Sequence, residues 1–351
     1  MNKQGFVLAL IIIPTALMLA PSLFAGEVTT AATFSQVQCE YLSQDWKEIY
    51  LKTLDLGFDL IRLGAYWSRI EAEEGVYDFS ELDWQMEQAS KKGIKVLLTV
   101  GMKAPRWPEY FIPSWLEKRV KLRYGSDPTE QQLLTNKLFL FIEKVVLRYR
   151  QHPAIVAWQV ENEPFTRSGP RDLWINKNFV EREKALIRRL DPRKRPLVIN
   201  AMTYSNGFLR FLVRLAYRTN PVFDTIDSAE IPAINVYPVV GHTLFSKKVC
   251  FWSNLEGQMR YLKVFLERAK NTGKDLWVTE LQAEPWEPGE LVHLREEAAQ
   301  TCQPESFVLT YRQLTDMGVT TIFFWGVEYW FYRAEKYGDT RWLEACPCRE
   351  P

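Results

Sequence analysis

AIVAWQVENEP, residues 154–164, is an apolar, β-prone run that ends in two acids around an asparagine and is stopped by a proline. Burying a carboxylate costs several kcal/mol unless it is paired or neutralised. A strand ending in Glu161-Asn162-Glu163 either leaves these groups in solvent or delivers them to a site. The run itself is continuously apolar rather than alternating, as expected of a strand covered on both faces. A helical pattern follows it, NKNFVEREKALIRRLD (176–191).

The same couple recurs in both directions along the chain. TFSQVQ (33–38) precedes SQDWKEIYLKTLDLG, and FDLIRLGAYW (58–67) leads to SELDWQMEQASKKG. IKVLLTVGM (94–102) is followed by a long loop rich in Pro and Trp, then by the helical TEQQLLTNKLFLFIEKVVLRYR. PLVINAM (196–202) leads to GFLRFLVRLAYR, and AINVYPV (233–239), after a loop, to NLEGQMRYLKVFLERAKNTG. DLWVTEL (275–281) leads to SFVLTYRQLTDMG, and TTIFFWGVEYW (320–330) is read as the last strand. Alternating β and α patterns imply a parallel sheet. Eight such units predict a closed (β/α)8 TIM barrel of the α/β class. A doubly wound open sheet is the competitor, and no Gly-rich phosphate turn follows the first strand to support it. With no internal repeat or linker, residues 27–351 read as one domain.

Composition narrows the function. Hydrophobic residues make up 47% and charged residues 25%, so the chain is globular. The formal net charge is +1, which gives nucleic acid no basic face to bind. The basic runs Arg188-Arg189 and Arg193-Lys194-Arg195 fall at a predicted helix end, where cations complement the helix dipole. The three His are widely separated, so no His-built metal site is expected. Aromatic residues make up 14%, with 13 Trp; part of these is ordinary core, and much falls at predicted strand ends and in the loops after them, where a sugar-binding cleft wants flat apolar faces.

In a barrel of this kind active groups sit at the C-terminal ends of the strands. The second strand supplies Arg62, the fourth Glu161, Asn162 and Glu163, the sixth Asn235 and Tyr237, the seventh Glu280, and the eighth Trp325 and Glu328. Two carboxyl groups across a barrel mouth suit glycoside hydrolysis, one protonated and one ionised. Arg62 and the Tyr237 hydroxyl would keep Glu280 charged. Trp158, Pro164 and Phe165 around Glu163 would favour its neutral form. Glu161 shares strand parity with Glu163 and is the alternative acid should the register differ.

These residues bring the chain to a family. NEP (162–164), TEL (279–281), IRLGAYWSRIE (61–71) and FFWGVEYW (323–330) resemble clan A of the glycoside hydrolases, in order and on the corresponding strands. The segment RIEAEEGVYDFSELD (69–83) resembles the clan's passage from strand two into helix two. The resemblance implies Glu163 as acid/base and Glu280 as nucleophile. It also implies Asn162 on the sugar 2-hydroxyl, Arg62 and Tyr237 orienting Glu280, and Trp325 as the floor beneath the attacked sugar. Asn235 and Glu328 join these as candidate substrate contacts, and Glu284, Trp286 and Trp330 as candidates for contact or rim. Val100-Gly101-Met102 and Asn235-Val236-Tyr237 stand where family 5 of the clan carries histidines. APRWP (104–108) is more like the β-galactosidase-type families. The loop PRWPEYFIPSWLEKR (105–119) is expected to form a cleft wall.

The expected reaction is retaining hydrolysis of a β-linked glycoside or polysaccharide, with the carboxyls roughly 5–5.5 Å apart and no metal or organic cofactor. A transglycosidase with the same residues, a catalytically silent carbohydrate-binding barrel and a membrane-anchored scaffold are the alternatives. The expected partner is a carbohydrate, with no nucleic acid, and the chain is expected to be a monomer.

Residues 1–26, with Lys3 before about twenty mostly apolar residues, read as a signal peptide or an uncleaved signal anchor. Either places the remainder outside the cytoplasm, with membrane contact only through that segment if it is retained. Of the five Cys, Cys250 and Cys302 fall in loops after neighbouring strands and are expected as a pair.

Overall fold

The computed structural model describes residues 28–203, 211, 221–244, 247–252 and 255–349. The N-terminal segment 1–26 and nearly all of the helix expected over 207–218 lie outside these residues.

Eight parallel strands close into the barrel: β1 Thr29–Thr33, β2 Leu60–Gly64, β3 Lys95–Val100, β4 Ile155–Val160, β5 Leu197–Thr203, β6 Ile231–Val236, β9 Trp277–Gln282 and β10 Thr321–Trp325. Each pairs with its chain-order neighbour, and β10 closes the ring on β1. The two labels missing from the ring, β7 Val239–Leu244 and β8 Lys247–Trp252, form a separate antiparallel hairpin. The fold class is therefore the one the eight-unit alternation predicts.

The barrel interior is built in layers. Ala31, Leu60, Leu97, Ala157, Val198, Ala233 and Phe323 fill one apolar layer, all buried. Two residues further along the strands, the same faces carry Thr33, Arg62, Thr99, Gln159, Asn200 and Asn235, with Thr279 beside them, again all buried. The period of two that points side chains inward makes this change of chemistry abrupt. Hydrogen bonds knit the polar layer: Thr279 Oγ1 donates to Asn235 Oδ1 at 2.8 Å, and Asn200 Nδ2 to Asn162 Oδ1 at 3.0 Å. The outward faces pack under the helices. Gln132–Tyr149, for example, turns Leu134, Leu138, Phe141, Ile142, Val145 and Tyr149 inward at helical spacing.

Four expectations are corrected. The first strand is Thr29–Thr33, and Gln36–Tyr41 is a helix, so the run 33–38 straddles the boundary between them. The last strand stops at Trp325, and Val327–Tyr337 is a helix that carries Glu328 and Trp330. The loop expected after the sixth strand contains the β7–β8 hairpin. Cys302 is buried beside the Gln282 carbonyl and unbridged, as is the half-exposed Cys250 on the hairpin. The bridge present is Cys346–Cys348, whose Cα atoms lie 5.5 Å apart.

Candidate active site

Strand pleating ends at Val160. Glu161 and Glu163 both hold the left-handed backbone, at φ 58° and 47°, so the parity that would have made them equivalent does not apply. Lys103, just past β3, holds all three residues of the stretch. Its N–H donates to Glu161 Oε2 at 2.5 Å, its carbonyl accepts from the Asn162 N–H at 2.8 Å, and its ammonium donates to the Glu163 carbonyl at 2.8 Å. Glu161 Oε1 also accepts from the Met102 N–H at 3.0 Å. Gly101 makes room for that carboxyl, since a Cβ there would lie 2.3 Å from Glu161 Cδ. The two acids around Asn162 thus have different tasks. Glu161 clamps the end of β3 to the end of β4, and Glu163 enters a cavity of about 490 Å³. Glu161 does not line that cavity.

Glu163 is 8% exposed. Its N–H donates to Asn200 Oδ1 at 2.7 Å, and its Oε1 accepts from Asn235 Nδ2 at 2.5 Å. Burial and then the charge of Glu280 push its carboxyl up to about 8, against the opposing pull of Lys103. This setting favours the protonated form of Glu163.

Glu280 follows a register shift between β6 and β9 that pairs it with Asn235. Its Oε1 accepts from Arg62 Nη1 at 2.8 Å and its Oε2 from the Tyr237 hydroxyl at 2.7 Å. Burial raises its carboxyl, and the Arg62 guanidinium and the Tyr237 hydroxyl pull it back toward the ionised form. Arg62 also donates to Asn162 Oδ1 at 2.5 Å. With that oxygen shared between Arg62 and Asn200, the amide nitrogen of Asn162 is left for the cavity.

Asn162, Glu163, Tyr237, Glu280 and Trp325 line one cavity, as do Glu284 and Trp286. Arg62 and Asn235 lie beneath it as partners of the two carboxyls rather than as contacts for a ligand. Glu328 is corrected in the same sense. It is fully buried and accepts from the Ser35 N–H at 2.6 Å and from Arg106 Nη2 at 2.9 Å. Trp330 belongs to the core and donates to the Ala283 carbonyl at 2.7 Å.

Sequence reasoning missed Lys103 and Arg106. Arg106 comes from the loop expected as a cleft wall, pairs with Glu284 and Glu328, and lays its guanidinium 3.9 Å from the centre of the Trp325 ring. Gly326 permits this arrangement, because a Cβ there would sit 2.4 Å from Glu284 Cβ. Cations in a loop that also carries exposed aromatics were the available signal. The front of that loop, Arg106, Trp107 and Glu109, does line the cavity. Further along, Trp115 instead donates to the Glu71 carbonyl at 2.9 Å, away from the cavity.

The chain is similar to known proteins over part of its length. Residues 38–172 match the family described as beta-galactosidase. A β-galactosidase of Geobacillus kaustophilus is 32% identical over 138 residues, covering 35% of this chain and 20% of that protein. Mannan endo-1,4-beta-mannosidase F of Aspergillus fumigatus is 31% identical over 121 residues, covering 34% of this chain and 26% of that protein. The solved β-galactosidase of the haloarchaeon Halorubrum lacusprofundi superposes with a TM-score of 0.56 at 14% identity, over 84% of this chain and 52% of that one. The cold-adapted β-galactosidase of Rahnella sp. R3 gives a TM-score of 0.56 at 15% identity, over 87% of this chain and 51% of that one. The aligned part of the chain thus spans about a fifth of the curated β-galactosidase and about half of the solved ones. The family match includes Arg62, Arg106, Asn162 and Glu163 and stops before Tyr237, Glu280 and Trp325. The likeness in sequence is thus confined to residues 38–172, and the closed (β/α)8 barrel is the fold shared with the solved β-galactosidases.

Proposed function

We propose that the protein is a retaining β-glycosidase in which Glu280 is the nucleophile and Glu163 the acid/base. One observation carries this reading. Two buried carboxyl groups share a cavity in opposite electrostatic settings, one tied to a guanidinium and a phenol, the other met among the described residues by a neutral amide.

Glu280 attacks the anomeric carbon while Glu163 gives its proton to the departing oxygen. The ester that forms removes the charge of Glu280, which had helped to hold the proton on Glu163. The carboxyl of Glu163 then becomes acidic enough to stay ionised and to take a proton from the incoming water. Asn162 is placed to bind a sugar hydroxyl, and Trp325 offers an apolar ring face to the pyranose.

The names of the relatives suggest a β-galactoside as the first substrate to try. The mannosidase match over a segment of similar length shows why the sugar stays open. Export, by signal peptide or anchor, is proposed on residues 1–26 alone, and the mass of the mature protein tests it.

The function is tested with a panel of 4-nitrophenyl β-glycosides of galactose, glucose and mannose, extended to β-linked polysaccharides. Product configuration is followed by NMR. The expected result is release of one sugar first as the β-anomer. Release as the α-anomer, or no turnover on any substrate, refutes the reading.

A further inference from the structure

The reading of Glu163 and Glu280 explains the floor of the cavity and leaves its mouth unexplained. Three large apolar side chains stand half-exposed there: Tyr41 at 47%, Trp107 at 47% and Leu291 at 49%. They come from the short helix after β1 and from the loops after β3 and β9, far apart in sequence, so no local feature of the chain accounts for their meeting. An exposed apolar rim around a pocket with a few convergent polar groups marks a binding surface.

Trp107 is displayed by a tight turn. Arg106 and Glu109 hold the left-handed backbone on either side, at φ 86° and 69°, and the Glu109 N–H donates to the Arg106 carbonyl at 2.7 Å. Such conformations are strained and persist where the surroundings hold them. Both stems of this turn are held inside the pocket. Arg106 is fixed by Glu284, Glu328 and the Trp325 ring. Glu109 lies 3.3 Å from the Lys103 ammonium and accepts from the Ser168 hydroxyl. The turn therefore bridges the two sides of the reaction centre. One stem lies on Trp325, and the charge of the other acts on Glu163. The proton of Glu163 goes to the leaving oxygen, so the leaving group departs past the Glu109 stem and beneath Trp107.

We propose that Trp107, with Tyr41 and Leu291, forms the subsite for the leaving group and selects those with a flat apolar face, a pyranose or an aryl ring, over small ones. The proposal rests on the assignment of Glu163 and Glu280. An indole at the cavity mouth gives a ring-shaped leaving group a broad surface to lie on, and its rigid side chain loses little freedom in doing so.

The test compares two substrates of the same sugar, the 4-nitrophenyl β-glycoside and the β-glycosyl fluoride, in the unaltered protein, Trp107→Ala and Trp107→Phe. The fluoride has no ring to place at the mouth. Because kcat/KM reports the steps up to glycosyl transfer, the readout is the ratio of the two kcat/KM values. The ratio is expected to fall roughly tenfold in Trp107→Ala and to recover most of that loss in Trp107→Phe. Equal losses on both substrates, which leave the ratio unchanged, would assign Trp107 a structural role, and no loss on either would remove it from the subsite. Either outcome overturns the proposal while leaving the assignment of the carboxyls standing. If the unaltered protein turns over neither substrate, the assignment itself fails and the subsite with it.

Discussion

Glu163 and Glu280 face the same cavity, are both nearly inaccessible, and are held by opposite means. Glu280 sits at a register shift within a regular strand, and its oxygens are met by Arg62 and Tyr237. Glu163 sits beyond a broken strand, and what is held is its backbone: the Asn200 amide takes its N–H and the Lys103 ammonium its carbonyl. Among the described residues, only the neutral Asn235 amide bonds its carboxyl. Burial alone would raise both groups. What separates them is where the cation is spent, on the carboxyl of one and on the main chain of the other. A protein can thus fix a side chain in place without fixing its charge.

The strongest way to break this comparison is to remove each carboxyl and supply azide. Glu280→Ala is expected to lose at least about 10⁴-fold in kcat. Azide should restore turnover by attacking the sugar directly, giving the α-glycosyl azide. Glu163→Ala is expected to lose about 10²–10⁴-fold on poor leaving groups and much less on 4-nitrophenyl glycosides, which need little protonation. There azide attacks the glycosyl-enzyme and gives the β-glycosyl azide. Obtaining the same anomer from both variants would exchange or abolish the two roles.

Tyr237→Phe cuts one of the two bonds that hold the charge of Glu280. A hydrogen bond to a charged group contributes about 1.5–3 kcal/mol, so kcat/KM should fall roughly 10–150-fold. The acid limb of the pH profile should move upward, because the hydroxyl pulls the Glu280 carboxyl down. A variant with an unshifted acid limb would show that Arg62 suffices.

The difference between the two corners also explains what could be read from the sequence. Glu280, Arg62 and Tyr237 belong to strands or their immediate ends, where periodicity and order of appearance give the position. The barrel, its closure and the gathering of these residues at one end follow from that regularity. Three features did not. The hairpin β7–β8, VVGHTL and KKVCFW, carries no regular alternation of apolar and polar residues, lies outside the ring and was absorbed into a loop. It is joined to the barrel by side chain and backbone, with Gln282 Nε2 donating to the Val239 carbonyl at 2.8 Å and the Gly241 N–H to the Trp286 carbonyl at 2.8 Å. Arg106 and Lys103 lie in irregular backbone, where no period assigns a direction to a side chain. Glu328 follows the left-handed Gly326, at φ 105°, and a strand continued past that residue gives it the wrong environment.

Lys103→Met sharpens the comparison on the Glu163 side, with an effect on rate smaller than that of losing Tyr237. The lysine charge lowers the Glu163 carboxyl, so its removal should move the alkaline limb of kcat/KM to higher pH. The acid limb, governed by Glu280, should stay in place. Movement of both limbs together would mean that the loop has shifted as a body and that the lysine acts by position alone.

The smallest effect is on stability, and its sign is opposite to the effect on activity. The Glu163 carboxyl rises from an ordinary value of 4.5 to about 8 in the folded protein. Between these values the folded chain keeps a proton that the unfolded chain has released. The contribution is fully present below about pH 4.5 and is lost as pH rises through 8, where a buried carboxylate must be tolerated. Glu163→Gln keeps the shape of the protonated acid and cannot ionise. Its melting temperature should match the parent at pH 4.5 and exceed it by a few °C at pH 9. The difference between the two proteins at each pH isolates this group from every other titration in the chain. Equal melting temperatures at both values would mean that Glu163 is already ionised at neutral pH, and the acid would have to be sought elsewhere in the cavity.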